Sequence, residues 1–151
     1  MYTLKGPIRA EGAVVDVLVG LAEADCQALR SAGRPVPAVQ SARALIDIGA
    51  DVSCAGGSLL APVWSAQVMP LRFVFANLGP ACNFGVTAEY ATTLTIVHPS
   101  SNRRADLVLR NQPVIEQTLD HLEYQVIIGR DVLSRCLLVY DGRGQEFTLA
   151  Y

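Results

Sequence analysis

The segment Ala44-Leu45-Ile46-Asp47-Ile48-Gly49-Ala50-Asp51 carries a carboxylate, Asp47, out of an apolar run and directly into a glycine turn. An acid held in such a place is partly desolvated, which suits it to proton transfer. Beside a second carboxylate the two can share one proton, so that one member serves as base while the other serves as acid. The residues before Asp47 read as a strand covered on both faces, and Gly49 is expected to supply backbone geometry that other residues resist. A blander role for the same acid is to cap the turn, which aspartates commonly do. Other chemistries have little to stand on. Cys26, Cys54, Cys82 and Cys136 form no C-x-x-C pair, and His98 and His121 lack partners at ligand spacing, so neither a metal nor an organic cofactor is expected. The thiols read as free and mostly buried, and no local feature marks one as an activated nucleophile.

Positioning Asp47 is the task of the elements around it. Val14–Gly20 is dense in β-branched residues and reads as a strand. Ala22–Ala32, with acids early and Arg30 late, fits a brief helix, and Gly33–Pro37 ends it in extended loop. Residues 22–37 therefore look like an insertion in an N-terminal hairpin whose returning strand, Val39–Ile48, delivers the acid. Gly56-Gly57-Ser58 can start a helical turn through Leu60, and Leu71–Ala76 is rich in strand formers. Glu89–Val97 interleaves threonines with apolar residues as a half-exposed strand should. Between these last two, Asn77–Gly85 holds the glycines, proline and asparagines of a hairpin tip. Leu107–Leu109 and Gln125–Ile128 supply further strands, and Asp131–Leu137 a short helix with an acid in its first turn. Leu137–Tyr140 and Glu146–Ala150 flank the turn Asp141-Gly142-Arg143-Gly144, a closing hairpin.

At 151 residues, 51% of them hydrophobic, the chain is expected to form one domain over its whole length. The net charge of −2 and a single adjacent basic pair, Arg103-Arg104, argue against a nucleic-acid partner. The best apolar run, Ala13–Ala22, contains Asp16 and is far shorter than a span, and the N-terminus is not of signal-peptide type. No membrane role is expected, and residence in the cytoplasm is.

Two segments carry a family resemblance. Leu45-Ile46-Asp47-Ile48-Gly49-Ala50 resembles the hydrophobic-hydrophobic-Asp-Thr/Ser-Gly-Ala signature of retroviral-type aspartic proteases, the retropepsins. Val126-Ile127-Ile128-Gly129-Arg130-Asp131-Val132-Leu133 resembles their apolar-apolar-Gly-Arg-Asn/Asp-x-Leu segment. The resemblance runs from Val14 to Tyr151 and is greatest to the bacterial retropepsin-like proteins. It implies an all-β fold, a closed β-barrel forming half of an acid protease, with one short C-terminal helix and a homodimeric assembly. It also implies that Asp47 is catalytic, that Ile48, Gly49 and Ala50 shape its turn, and that Asp51 and Arg130 form a structural ion pair. A flap containing Asn77, Leu78, Gly79 and Pro80 would close over an extended peptide or protein substrate.

The chemistry needs two acids around one water, and this chain has one motif. Asp141-Gly142 lacks the Asp-x-Gly spacing, so Asp47 is expected to meet Asp47 of a second copy across a two-fold axis. The terminal run Phe147–Ala150 would join the partner in a shared sheet, removing an exposed edge. Ile48 departs from the pattern. The family's Thr or Ser hydroxyl bonds across the dimer beneath the acids, and its loss risks an orphaned backbone group at ~1–3 kcal/mol per half-site, offset in part by apolar contact between the two isoleucines. Three readings follow: an endopeptidase, a catalytically impaired dimer that binds peptides or proteins, and a β-rich domain in which Asp47 only caps a turn.

Overall fold

The computed structural model describes residues 1–64, 70–77 and 84–151. Alternation governs the longest early strand as far as Val19: along β2 (Gly12–Leu21), Ala13, Val15, Val17 and Val19 are buried while Asp16 is exposed. A strand of this kind buries one face against a core, and here the core is the inside of a barrel. The other strands in chain order are β1 (Thr3–Arg9), β3 (Gln40–Ile46), β4 (Cys54–Gly56), β5 (Arg72–Asn77), β6 (Phe84–Ile96), β7 (Leu107–Gln117), β8 (Val126–Ile128), β9 (Leu137–Asp141) and β10 (Glu146–Ala150). Helices are few and short: α1 (Glu23–Ser31) between β2 and β3, α2 (Gly57–Leu60) after β4, and α3 (Arg130–Leu133) after β8, with a 3-10 turn at Arg103–Ala105.

Strands β6, β7, β4, β8, β3 and β2 are neighbours in that order, and pairing of β2 back onto β6 closes a six-stranded barrel. Val17, Val19, Ala44, Leu94, Ile96, Val126 and Ile128 fill it, each almost wholly removed from water. Closure leaves no open edge within the ring. β3 and β8 run parallel, pairing Ile46 with Ile128, which places the ends of the two sequence motifs side by side.

The terminal strands form a second sheet. β1 pairs with β10 early and bends to pair with β2 late, while β10 pairs with β9 on its other edge. This corrects the expectation for Phe147–Ala150. Both edges of β10 are taken within the chain, Phe147 and Leu149 are buried, and among the described residues the open edge is β9. The C-terminal helix is also shorter than expected, four residues at Arg130–Leu133, because Leu137 already belongs to β9. β7 extends well past Leu109 to Gln117, through Asn111-Gln112-Pro113, with a register shift opposite Thr92 and Leu94. Of the expected flap residues, Asn77 ends β5, whereas Leu78, Gly79 and Pro80 lie outside the described residues. Among the described residues no helix is long and apolar enough to cross a membrane.

Candidate active site

Asp47 leaves β3 while still tied to its neighbour, its N–H donating to the Ile128 carbonyl at 3.0 Å. The chain then reverses. Ala50 N–H donates to the Asp47 carbonyl at 3.2 Å, and Gly49 N–H donates to Asp47 Oδ1 at 2.8 Å, which orients the carboxylate. At Gly49 a side chain would contest space rather than backbone geometry. The only glycines with positive φ among the described residues are Gly12 and Gly33, whereas a Cβ on Gly49 would sit 3.1 Å from Asp47 Oδ1. The expected backbone geometry that other residues resist is thus not found at Gly49, where a side chain would instead crowd the carboxylate oxygen.

The second motif clasps the first. Arg130 N–H donates to the Ala50 carbonyl at 2.9 Å, and Asp131 N–H to the Asp51 carbonyl at 3.3 Å. Gly129 lies so near that a Cβ on it would be 2.6 Å from the Val52 carbonyl carbon and 3.0 Å from the Ala50 oxygen. Only glycine allows that contact. Beneath the turn, Asp131 gathers donors: Ser53 Oγ at 2.8 Å and Val132 N at 2.9 Å to Oδ1, with Ser53 N at 3.1 Å and Gln112 Nε2 at 2.7 Å to Oδ2. Ser53 Oγ in turn accepts from Gly129 N at 3.0 Å. These bonds knit β4, β7 and α3 to the acid's turn.

Asp51 and Arg130 form an ion pair, but their side chains are 77% and 62% exposed. The pair belongs to the weak, solvent-screened class, at ~0–1 kcal/mol, and the backbone clasp rather than the charges holds the motifs together. Ile48, in the same turn, points its side chain into solvent at 69% exposure.

The carboxylate opens on a groove of about 960 Å³ lined by Asp47, Val52, Phe75, Phe84, His121 and Tyr124, among others. Burial, then the nearby negative charge of Asp47, pushes the Tyr124 phenol above its usual range. Cys54, under the groove, is pushed up to about 12 by burial above all, so its thiol stays neutral. Among the described residues no three His, Cys, Asp or Glu side chains gather to hold a metal ion. The arrangement offers one oriented, half-buried carboxylate, and no second carboxylate hydrogen-bonds to it among the described residues.

The structure brings Asp47, Ile48, Gly49, Ala50, Asp51 and Arg130 into one turn-and-clasp unit, with Asn77 lining the same groove. Sequence reasoning did not single out Ser53, Gln112 or Tyr124, and it weighed His121 only as a metal ligand. Gln112 is buried in β7 but stands in sequence at the end of the polar run Arg110-Asn111-Gln112, so no pattern marked it.

No family model matches the chain, and no curated protein matches it in sequence. Among solved structures it is similar to the crystal structure of a retropepsin-like aspartic protease from Rickettsia conorii, with a TM-score of 0.56 and 10% identity over 99% of this chain and 90% of that one. At that identity the likeness establishes the fold: an all-β, retropepsin-like closed barrel.

Proposed function

We propose that this barrel is one half of a homodimeric aspartic endopeptidase. The observation that carries the reading is the Asp47 carboxylate, oriented by the Gly49 N–H at the head of an open groove, in a turn whose next side chain, Ile48, is left uncovered. A second copy brought up across a two-fold axis supplies both the missing acid and the cover for Ile48. An ionised Asp47 then takes a proton from a water held between the two carboxylates. The protonated partner acid polarises the peptide carbonyl, and no cofactor is needed. The groove takes an extended polypeptide, bound through main-chain hydrogen bonds with pockets for alternate side chains, beneath the hairpin of β5 and β6.

The test is hydrolysis of an unfolded casein at mildly acidic pH together with a sizing measurement. Cleavage by a dimer, reduced at least ~1,000-fold by Asp47→Asn with the dimer retained, supports the proposal. A protein that stays monomeric at high concentration, or whose cleavage survives the substitution, overturns it. Ile48 favours one alternative. Without a hydroxyl at that position the acids can be held out of catalytic geometry, and the dimer would bind extended peptides without cutting them.

A further inference from the structure

The hairpin of β5 and β6 breaks the usual rule for a half-solvated sheet, which keeps its apolar residues on the covered side. Cross-strand pairs share a face, so the pairs Phe73–Ala88, Phe75–Val86 and Asn77–Phe84 set three phenylalanines and a valine on one side. That side is open. Phe73, Phe75, Phe84 and Val86 are 67%, 72%, 57% and 69% exposed, while Val74 and Ala76 on the opposite face pack against Cys54, Ile115 and Leu119. The barrel therefore covers the less apolar face and leaves the more apolar one to water. Phenylalanine side chains carry ~150–250 Å² each, so the open patch reaches the few-hundred-Å² scale at which exposed apolar surface marks an interaction site.

We infer that this face is an extension of the substrate groove, a docking surface for an apolar, aromatic-bearing stretch of the same polypeptide whose neighbouring residues occupy the groove. The inference rests on the reading of the groove as a peptide site. Continuity carries it. Phe75 and Phe84 belong to the open face and also line the groove beside Asp47, and their rings stack with centroids 5.8 Å apart, making an unbroken apolar path from one to the other. Among the described residues β5 is the end strand of its sheet, which offers a polypeptide leaving the groove a strand to run alongside near the rings. The four large side chains of the face carry no charge, so the segment it accepts is uncharged and hydrophobic, of the kind exposed by unfolded rather than folded proteins.

The experiment uses Asp47→Asn protein, which binds without turnover, and a fluorescent octapeptide selected on it from an unbiased library. The same octapeptide carrying a Phe-Ser-Phe extension at either end is the second probe. The expected result is that one extension tightens binding about tenfold or more. Adding Phe73→Ser and Val86→Thr, which lie outside the groove lining, removes that gain and leaves the octapeptide affinity unchanged. An extension that adds nothing, or a gain that survives the two substitutions, overturns the docking surface while leaving the peptide site intact. Dissociation of a dimer by the two substitutions overturns it in favour of a contact between copies. If the library yields no binder, the peptide-site reading fails and the docking surface fails with it.

Discussion

Ser53→Ala tests whether the clasp beneath Asp47 is what holds the acid's turn. Ser53 is completely buried, and its hydroxyl both donates to Asp131 Oδ1 at 2.8 Å and accepts from Gly129 N–H at 3.0 Å. Alanine removes both bonds with little change in volume. Gly129 is pressed against Val52 and Ala50, so its N–H cannot turn to water, and an orphaned buried donor costs ~1–3 kcal/mol. Loss of a hydrogen bond to a charged acceptor adds ~1.5–3 kcal/mol, moderated because Asp131 keeps its other donors. The expected destabilisation is ~3–4 kcal/mol, a large fraction of the ~5–15 kcal/mol typical of a whole protein. Urea unfolding followed through Trp64, the single tryptophan, at fixed protomer concentration measures it. Ser58→Ala is the control: Ser58 also bonds a carboxylate, Asp120, but both are exposed, and the change there should stay within ~0.5 kcal/mol. A loss below ~1 kcal/mol for Ser53→Ala would refute the reasoning, because a water or another acceptor would then be replacing the hydroxyl.

Gly129→Ala places a Cβ 2.6 Å from the Val52 carbonyl carbon and 2.8 Å from its oxygen, atoms that cannot move aside as a flexible side chain can. A lowered urea midpoint equivalent to ~1–3 kcal/mol or more is expected, with casein hydrolysis lost more steeply than stability because the displaced segment adjoins Asp47. An unchanged midpoint would contradict the close approach. Cys54 gives a pH dependence. Its ionisation is raised from 9.0 to about 12 in the folded chain, so between those values the unfolded state releases a proton that the native state keeps. The contribution is intact below pH ~9 and is lost as pH rises, at up to ~1.4 kcal/mol per pH unit. Thermal unfolding from pH 8 to 10.5 should therefore fall more steeply for the wild type than for Cys54→Ala, and parallel profiles would refute this assignment. Ile48→Thr places at an exposed position the hydroxyl of the signature that this turn resembles, so the single chain's stability should change by less than ~0.5 kcal/mol while, on the proposed function, kcat rises and KM holds. No gain in kcat would show that Ile48 does not limit the reaction.

The acid's turn was legible in sequence because it is local: apolar strand, carboxylate and glycine follow one another, and hydrogen bonds within a few residues enforce the reversal. The second motif was legible for the same reason, being a strand end, a glycine and a helical turn in series. What escaped was set by partners distant in the chain. β4 is three residues long, too short to show a period, and is a strand only because β7 and β8 flank it. The Ser53, Gln112 and Asp131 bonds join residues whose spacing in sequence carries no pattern. Gly49 looked like a conformational glycine but has no positive φ, and the oxygen that a side chain there would crowd is visible only once the Asp47 side chain is placed. The order of the terminal sheet depends on β1, whose Gly6 and Pro7 obscure it as a strand, and without β1 the terminal run looked unpaired.

The physical division of labour in this site separates the support of the acid from its use. Parallel pairing of β3 with β8, the Asp47–Ile128 and Arg130–Ala50 backbone bonds, and the buried Ser53–Asp131 contacts all lie within one chain, so the turn is formed and held before any partner arrives. Nothing in that scaffold depends on the carboxylate being catalytic, which is why the fold is as compatible with a binding protein as with a peptidase. The surfaces left uncovered are of another kind: Ile48, next to Asp47 in the turn, and the phenylalanine face of the hairpin, whose Phe75 and Phe84 reach the groove, both apolar. Burying either on a folded single chain would have required extra elements. On this account the interior of the barrel sets stability, while the uncovered side chains around Asp47 set what the protein meets and whether a second acid is delivered within reach of the first.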